Sequence, residues 1–228
     1  MSVAKKVTVL AAFFFVCVYL PAFEYAGYEF HLGQAIILNG YRLDSDGNTV
    51  QGSDVSPIRP SFGGGARFGL SESWFFSPSV RFFGQEYILL KDSGKAVPTQ
   101  IETGAELGSI AGTLGVIVGF PFTWEYPVTE RVAFGLGASP SLLFRIPVVP
   151  IDGTEIGELR AYFVRAGRFL APEFFGSVEY AVSERTRAVL SIRTTIPIYN
   201  LWSEFDAPFW DELMIVPTLT IRIAPAQR

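Results

Sequence analysis

The chain alternates. Leu114, Val116, Val118, Phe120 and Phe122 fall in one phase, against Thr113, Gly115 and Gly119 in the other. Val132, Phe134, Leu136, Ala138, Leu142 and Phe144 then alternate with Gly135, Gly137, Ser139, Ser141 and Arg145. A period of two puts successive side chains on opposite faces of a strand. The same period runs through Phe174, Val178, Tyr180 and Val182 against Glu173, Ser177 and Glu179, and through Leu190, Ile192 and Ile196 against Ser191, Arg193 and Thr195. Phe62, Phe68, Trp74, Phe76, Val80 and Phe82 oppose Arg59, Arg67, Ser77, Ser79 and Arg81. Residues 28–38, YEFHLGQAIIL, and residues 213–223, LMIVPTLTIRI, add one strand each, with Glu29, His31 and Arg222 on their polar faces.

A repeated phrase divides these runs. EYPVTER at 125–131 returns as EYAVSER at 179–185, with a looser form, FGLSESW, at 68–74. Read as tight turns, the three phrases join three hairpins, and with the first and last runs they give eight strands of about ten or more residues. The other connections, at about 39–56, 89–105, 147–166 and 200–211, are long and rich in Asp, Glu, Gly and Pro. Short turns at one end and long loops at the other suit an eight-stranded antiparallel up-and-down transmembrane β-barrel.

Composition sets which face meets which medium. The chain is 49% hydrophobic and 18% charged, against about 25% charged in ordinary soluble domains. One face of each strand carries Phe, Leu, Ile and Val; the other carries Gly, Ser, Thr, Arg and Glu. An eight-strand interior is too narrow for the bulky set, so the bulky set is expected to face lipid and the polar set the lumen. The expected lumenal network is Glu29, His31, Arg59, Arg67, Arg81, Arg145, Glu173, Arg193 and Arg222. Counting from the turns puts Arg81, Arg193 and Glu173 at similar depth, and closure makes Glu29 and Arg222 neighbours. A structural ion-pair plug and a narrow Arg-lined pore are both open readings of that set. Trp74, Trp124, Tyr126 and Tyr180 near the short turns, with Trp202 and Trp210 in the fourth loop, are expected at the membrane–water interfaces.

The first 26 residues carry Lys5 and Lys6, then an uncharged stretch from Val7 to Phe23, then small residues. They are expected to be a signal peptide cleaved near Ala22 or Ala26, leaving 27–228 as the barrel. An uncleaved anchor and a lipoprotein signal at Cys17 are the alternatives. Cys17 is the only cysteine, so a mature chain has no thiolate nucleophile and no Cys-based zinc site. Net charge is −4 with no basic run, and no nucleic-acid partner is expected. His31 is the sole histidine and no catalytic triad is readable, so no enzyme activity and no cofactor are expected. DSDGN at 44–48 has the opening of a calcium loop but lacks its closing Glu, so no metal site is expected. Asp44, Asp46, Trp202, Phe205, Phe209 and Trp210 are outer-loop binding candidates, while Glu204, Asp206, Asp211 and Glu212 read as acidic solubilisers of the fourth loop.

Residues 28–223, with their strands and turn placement, resemble small eight-stranded outer-membrane proteins of the OmpA, OmpX and OmpW kind, without a diagnostic motif. That resemblance implies the outer membrane of a diderm bacterium, export, insertion by the barrel-assembly machinery, a monomer among outer-membrane lipids, and the termini and short turns on the periplasmic side. Similarity to OmpW-like proteins implies a narrow channel or lateral route for small apolar solutes. The alternative is a non-channel surface barrel whose outer loops bind a host or envelope ligand. The chain departs from such barrels in ending IRIAPAQR rather than in an aromatic residue. It also carries Pro60, Pro78, Pro121, Pro140, Pro172, Pro197 and Pro217 within expected strands, which bulges near the outer rim would accommodate.

Overall fold

The computed structural model describes residues 23–43, 49–55, 58–90, 95–98, 110–148, 153–202 and 209–225. The signal-like segment through residue 22 lies outside them, as do Asp44, Asp46, Glu204, Phe205 and Asp206. The strands are β1 (Glu24–Leu43), β2 (Thr49–Val55), β3 (Arg59–Gly69), β4 (Trp74–Phe76), β5 (Ser79–Leu90), β6 (Lys95–Pro98) and β7 (Ile110–Gly119). They continue with β8 (Phe122–Pro127), β9 (Val132–Ser139), β10 (Ser141–Pro147), β11 (Glu173–Ala181), β12 (Thr186–Thr195) and β13 (Leu213–Ile223). Four of the eight wall strands are two segments end to end: β2 with β3, β4 with β5, β7 with β8, and β9 with β10. β6 folds back onto the upper part of β5.

The wall closes where β1 pairs with β13 on one side and β3 on the other, every pairing being antiparallel. Pairing can be followed once round, from Gly27 through Arg67, Ser77, Pro121, Ser139, Glu173, Thr195 and Met214. The path rejoins β1 at Ile37, ten residues along the strand. A stagger of that size tilts the strands by about 40° and leaves an interior that side chains can fill. The three tight turns carry the repeated phrase, and in each a hydroxyl caps the turn: Trp74, Val132 and Thr186 donate their amides to Ser71 Oγ (3.2 Å), Thr129 Oγ1 (3.0 Å) and Ser183 Oγ (3.1 Å).

The polarity is inverted relative to a soluble barrel. Phe30, Leu32, Phe62, Leu136, Phe174, Leu190 and Ile192 are each more than half exposed on the outside. Glu29, Arg67, Arg81, Arg145, Glu173 and Arg193 are buried inside. Only hydrocarbon tolerates that outer surface, and only a closed wall satisfies the backbone there. Trp74, Trp124, Tyr126 and Tyr180 stand exposed near the short-turn end, with Trp74 paired across to Trp124 and Trp124 stacked on Tyr126 at 6.1 Å between centroids.

The prolines do not sit on rim bulges. Among the described residues register shifts occur only along β1, between Tyr25 and Gly27 and between Asn39 and Tyr41. The register is therefore unshifted across the prolines of the wall, while Pro197 lies beyond the end of β12 and caps the 3-10 turn that follows. Pro78, Pro121 and Pro140 end one wall segment and begin the next on three adjacent strands, and Pro172 precedes β11 at the same level. Each lacks a donor but keeps its acceptor: Ala66, Ser77, Phe120 and Ile196 donate their amides to the carbonyls of Pro78, Pro121, Pro140 and Pro172 at 2.9–3.1 Å. The seam costs ladder donors on one side of each pair, and no residue is inserted.

The long connections also differ from simple loops. β1 and β2 continue as a hairpin through much of the first. The third contains helix α1 (Gly153–Val164) and a 3-10 turn (Arg165–Gly167), and the fourth begins with a 3-10 turn (Ile198–Leu201). Helix α1 forms because Leu159, Tyr162 and Phe163 recur at helical spacing, and all three are buried against Tyr87 and Ala96 at the long-loop mouth of the barrel.

Candidate functional site: the filled lumen

Inward positions follow one order on every strand. Rising from the short-turn end, β1 presents Glu29, His31, Gly33, Ala35 and Ile37, and β4 and β5 present Phe75, Ser77, Ser79, Arg81, Phe83 and Tyr87. The lumen is therefore layered.

The innermost layer is a network of arginines and glutamates. Arg222 donates Nε to Glu29 at 2.7 Å and Nη1 to Glu125 at 2.7 Å and to Glu179. Arg67 reaches Glu125 at 2.9 Å and Glu29 at 3.6 Å, with its guanidinium 3.6 Å from the centre of the Phe75 ring. Below them Arg187, half exposed, holds Glu179 at 2.5 Å. A vestibule of about 220 Å³ opens here between Arg67, Phe75, Glu125, Glu179, Arg187 and Arg222. His31 does not line it. Its Nδ1 meets Thr220 Oγ1 at 2.9 Å, and its Nε2 lies 3.9 Å from Glu29, whose carboxylate the arginines already engage.

The middle layer is centred on Glu173, fully buried. Arg81 Nη2 donates to both its oxygens at 2.5 Å, Thr195 Oγ1 donates at 3.1 Å, and Arg193 Nη1 lies at 3.7 Å. Ser139 and Ser141 share a hydrogen bond of 2.8 Å beside it. Glycines make room for these large groups: a Cβ at Gly63 would meet Arg81 Cγ at 2.7 Å, and one at Gly137 would meet the Phe175 ring at 2.2 Å.

Above lies a dry layer of Ile37, Phe83, Ile117, Leu143, Met214 and Val216, each 6% exposed or less. Above that, Arg145 binds Glu212 at 2.8 Å, Tyr162 donates to the same carboxylate at 3.3 Å, and the Arg145 guanidinium sits 5.3 Å from the Phe163 ring centre. Arg168 stacks over Tyr162 at 4.1 Å and donates to the Arg165 carbonyl at 3.1 Å. Burial, then the Glu212 carboxylate, pushes the Tyr162 and Tyr199 phenols well above their ordinary value. They therefore stay protonated, and able to donate, throughout the neutral range.

Among the described residues, the buried carboxylates Glu29, Glu173, Glu179, Asp211 and Glu212 are equal in number to the buried Arg67, Arg81, Arg145, Arg168 and Arg193. Glu125 and Arg222 add a further, slightly wetter pair. Charge at bilayer depth is costly unless paired, and in the middle layer Arg81 and Arg193 share the one carboxylate of Glu173.

Eight of the nine expected network residues thus meet inside. Arg59 does not: it begins β3 at the long-loop rim, one third exposed, and binds Glu86 at 3.0 Å. Glu125 and Glu179 join the network beyond the nine residues expected; Glu179 already falls in the polar phase with Glu173, and Glu125 holds the matching place in the repeated phrase. Asp211 and Glu212, read as solvated acids, are buried instead, because the chain turns back over the mouth and brings Glu212 to Arg145. Trp202 is about half exposed and donates Nε1 to the Ala166 carbonyl at 2.7 Å, Phe209 is exposed, and Trp210 is half-buried. Among the described residues no group of three or more His, Cys, Asp or Glu side chains is placed to hold a metal.

No protein-family model and no curated protein matches the chain. Among solved structures it is similar to Neisserial surface protein A, with 11% identity, a TM-score of 0.47, and coverage of 88% of this chain and 98% of that one. It is similar to outer membrane protein OprG of Pseudomonas aeruginosa, with 11% identity, a TM-score of 0.41, and coverage of 88% and 95%. A third is Ail, the attachment invasion locus protein of Yersinia pestis, with 10% identity, a TM-score of 0.30, and coverage of 87% and 97%. Likeness at this level carries no functional information, and the fold rests on the closed register and inverted polarity above.

Proposed function

We propose that the chain is a bacterial outer-membrane barrel without a continuous aqueous pore, acting through the face it presents at its outer end. The observation that carries this reading is the sequence of layers across the lumen. Among the described residues, charged groups, a layer of six large apolar side chains and a helix over the mouth succeed one another, and the space found between the ionic layers holds only about 10 Å³. Water and ions would have to cross the dry layer, where nothing replaces their hydration. The outer end, by contrast, offers exposed Val148, Val164, Leu201, Trp202 and Phe209, the kind of apolar and aromatic surface on which a host or envelope partner docks. Expected in proteoliposome swelling with a small neutral sugar is a rate equal to that of empty liposomes. Swelling that rises with the amount of inserted barrel would overturn the reading.

A second reading, a lateral route for small apolar solutes, has one observation in its favour. Beneath α1, where β11 and β12 give out, a space of about 10 Å³ lies between Ile37, Phe83, Leu143, Leu170, Ile196 and Met214. That is at the lower limit for a single water, and Arg145, Arg168, Thr195, Tyr199 and Glu212 line it as well, so an apolar solute would find only one side of it apolar.

A further inference from the structure

The outside wall carries a track that the lumen does not explain. Trp124 pairs with Leu136, Leu136 with Gly176, Gly176 with Ile192, and Ile192 with Pro217. Pro217 in turn stands opposite Gln34, between the pairs Gly33–Thr218 and Ile36–Ile215. All six face outward along one row of the sheet. Gly176 and Pro217 lie low in that row while bulkier neighbours stand above and below it, so the wall is concave. The concavity holds about 930 Å³, and a second hollow of about 540 Å³, sharing Leu136, continues it to Trp74 and Trp124. Five strand steps make the track about 24 Å long, close to an extended fatty-acyl chain. Because the strands tilt, it climbs obliquely from the aromatic girdle toward the exposed amide of Gln34.

We infer that this track seats one acyl chain of a phospholipid from the inner leaflet, with its headgroup at the Trp74, Trp124 and Tyr126 end. The inference rests on the membrane reading above. Continuity with the lipid-facing wall fixes the kind of occupant, since the outward positions of the row between Trp124 and Pro217, which are Leu136, Gly176 and Ile192, carry no polar side chain. Two indoles and a phenol gather at the lower end, against one amide at the upper end, and that fixes its direction. Aromatic rings of this kind sit at headgroup level.

Gly176 makes the seat testable without disturbing the fold. A Cβ there meets only Leu136 Cδ2, at 3.8 Å, so Gly176→Phe fills the track from outside. Gly84→Phe is the control, because a Cβ at Gly84, also on the outer face, meets nothing within 4 Å and the position lies off the track. The full chain refolded in detergent would be incubated with palmitoyl-oleoyl phosphatidylethanolamine and examined by native mass spectrometry, with lipopolysaccharide in a parallel arm. Wild type and Gly84→Phe are expected to retain the phospholipid. Gly176→Phe should retain about fivefold less, as loss of packing along part of a chain implies, while all three still shift on heating in SDS gels. Equal retention in Gly176→Phe, retention of lipopolysaccharide in place of phospholipid, or a wild-type dimer that Gly176→Phe abolishes would each overturn the seat. Absence of the heat shift in all three would overturn the membrane reading, and the seat with it.

Discussion

Replacing Glu173 with alanine is expected to destabilise the folded barrel by about 3–5 kcal/mol, the usual cost of breaking a buried ion pair from one side. The size follows from what is left behind. Glu173 is fully buried, and Arg81 and Arg193, both nearly inaccessible, direct their guanidiniums at it. Thr195 and Ser141 add hydroxyls at 3.1 and 3.5 Å. Without the carboxylate, two cations remain at bilayer depth with the dry layer above them. Glu173→Gln keeps the shape but not the charge, and should fall between the two. Removing all three charges at once, as Glu173→Leu with Arg81→Met and Arg193→Met, should cost far less than Glu173→Ala, because nothing unpaired then stays inside. Urea unfolding from detergent or lipid measures all four. A Glu173→Ala barrel as stable as wild type would mean that water reaches the middle layer freely.

Gly137→Val is the second large effect, and it acts through volume. A Cβ at this inward position would lie 2.2 Å from the Phe175 ring and 2.7 Å from the Phe122 carbonyl oxygen. The ring cannot retreat, since Arg193 stacks on it with 4.4 Å between guanidinium carbon and ring centre. Overpacking of this kind costs about 1–3 kcal/mol or more. Gly137→Val is thus expected to lower the yield of heat-modifiable barrel and the urea midpoint. Phe175→Leu, which removes the ring atoms but leaves the Phe122 carbonyl oxygen in place, should restore part of the loss when combined with it. If the double variant is no better than the sum of the two single ones, the close approach is not what limits the site.

Much of the wall was legible in the sequence, because alternation with a period of two reports directly which side chains share a face. Leu114 to Phe122 and Val132 to Phe144 could sit in a closed barrel only as an outer face, and that put Arg81, Arg145 and Arg193 inside. Closure alone brings Glu29 opposite Arg222. What alternation does not carry is anything specified by contact across long separations. Glu212 lies in an acidic and aromatic stretch that reads as solvated, and its partner Arg145 is 67 residues away. Helix α1 is short and lies inside a long connection rich in polar residues and Pro, although Ile156, Leu159 and Phe163 recur at helical spacing. The prolines misled for a related reason. One proline in a strand suggests a bulge, whereas Pro78, Pro121, Pro140 and Pro172 form a row only once the register is known.

The glycines carry the part of the design that faces inward. Gly63, Gly115 and Gly137 each lie under a large inward group, Arg81, Phe83 and Phe175 respectively. A barrel of this stagger filled by arginines and phenylalanines has no space for side chains at every inward position. The glycine content of the polar face is thus the counterpart of the plug rather than a sign of an open channel. Reading the lumen as closed depends on that packing together with the dry layer between the ionic layers and the mouth.

Ion current through single barrels in a planar lipid bilayer tests this most directly. Wild-type protein, inserted and shown by its heat shift to be folded, is predicted to give no steady current above the bare membrane at moderate voltage in molar salt. Discrete, reproducible conductance steps from folded wild-type barrels would contradict the filled lumen and return the account to an open pore.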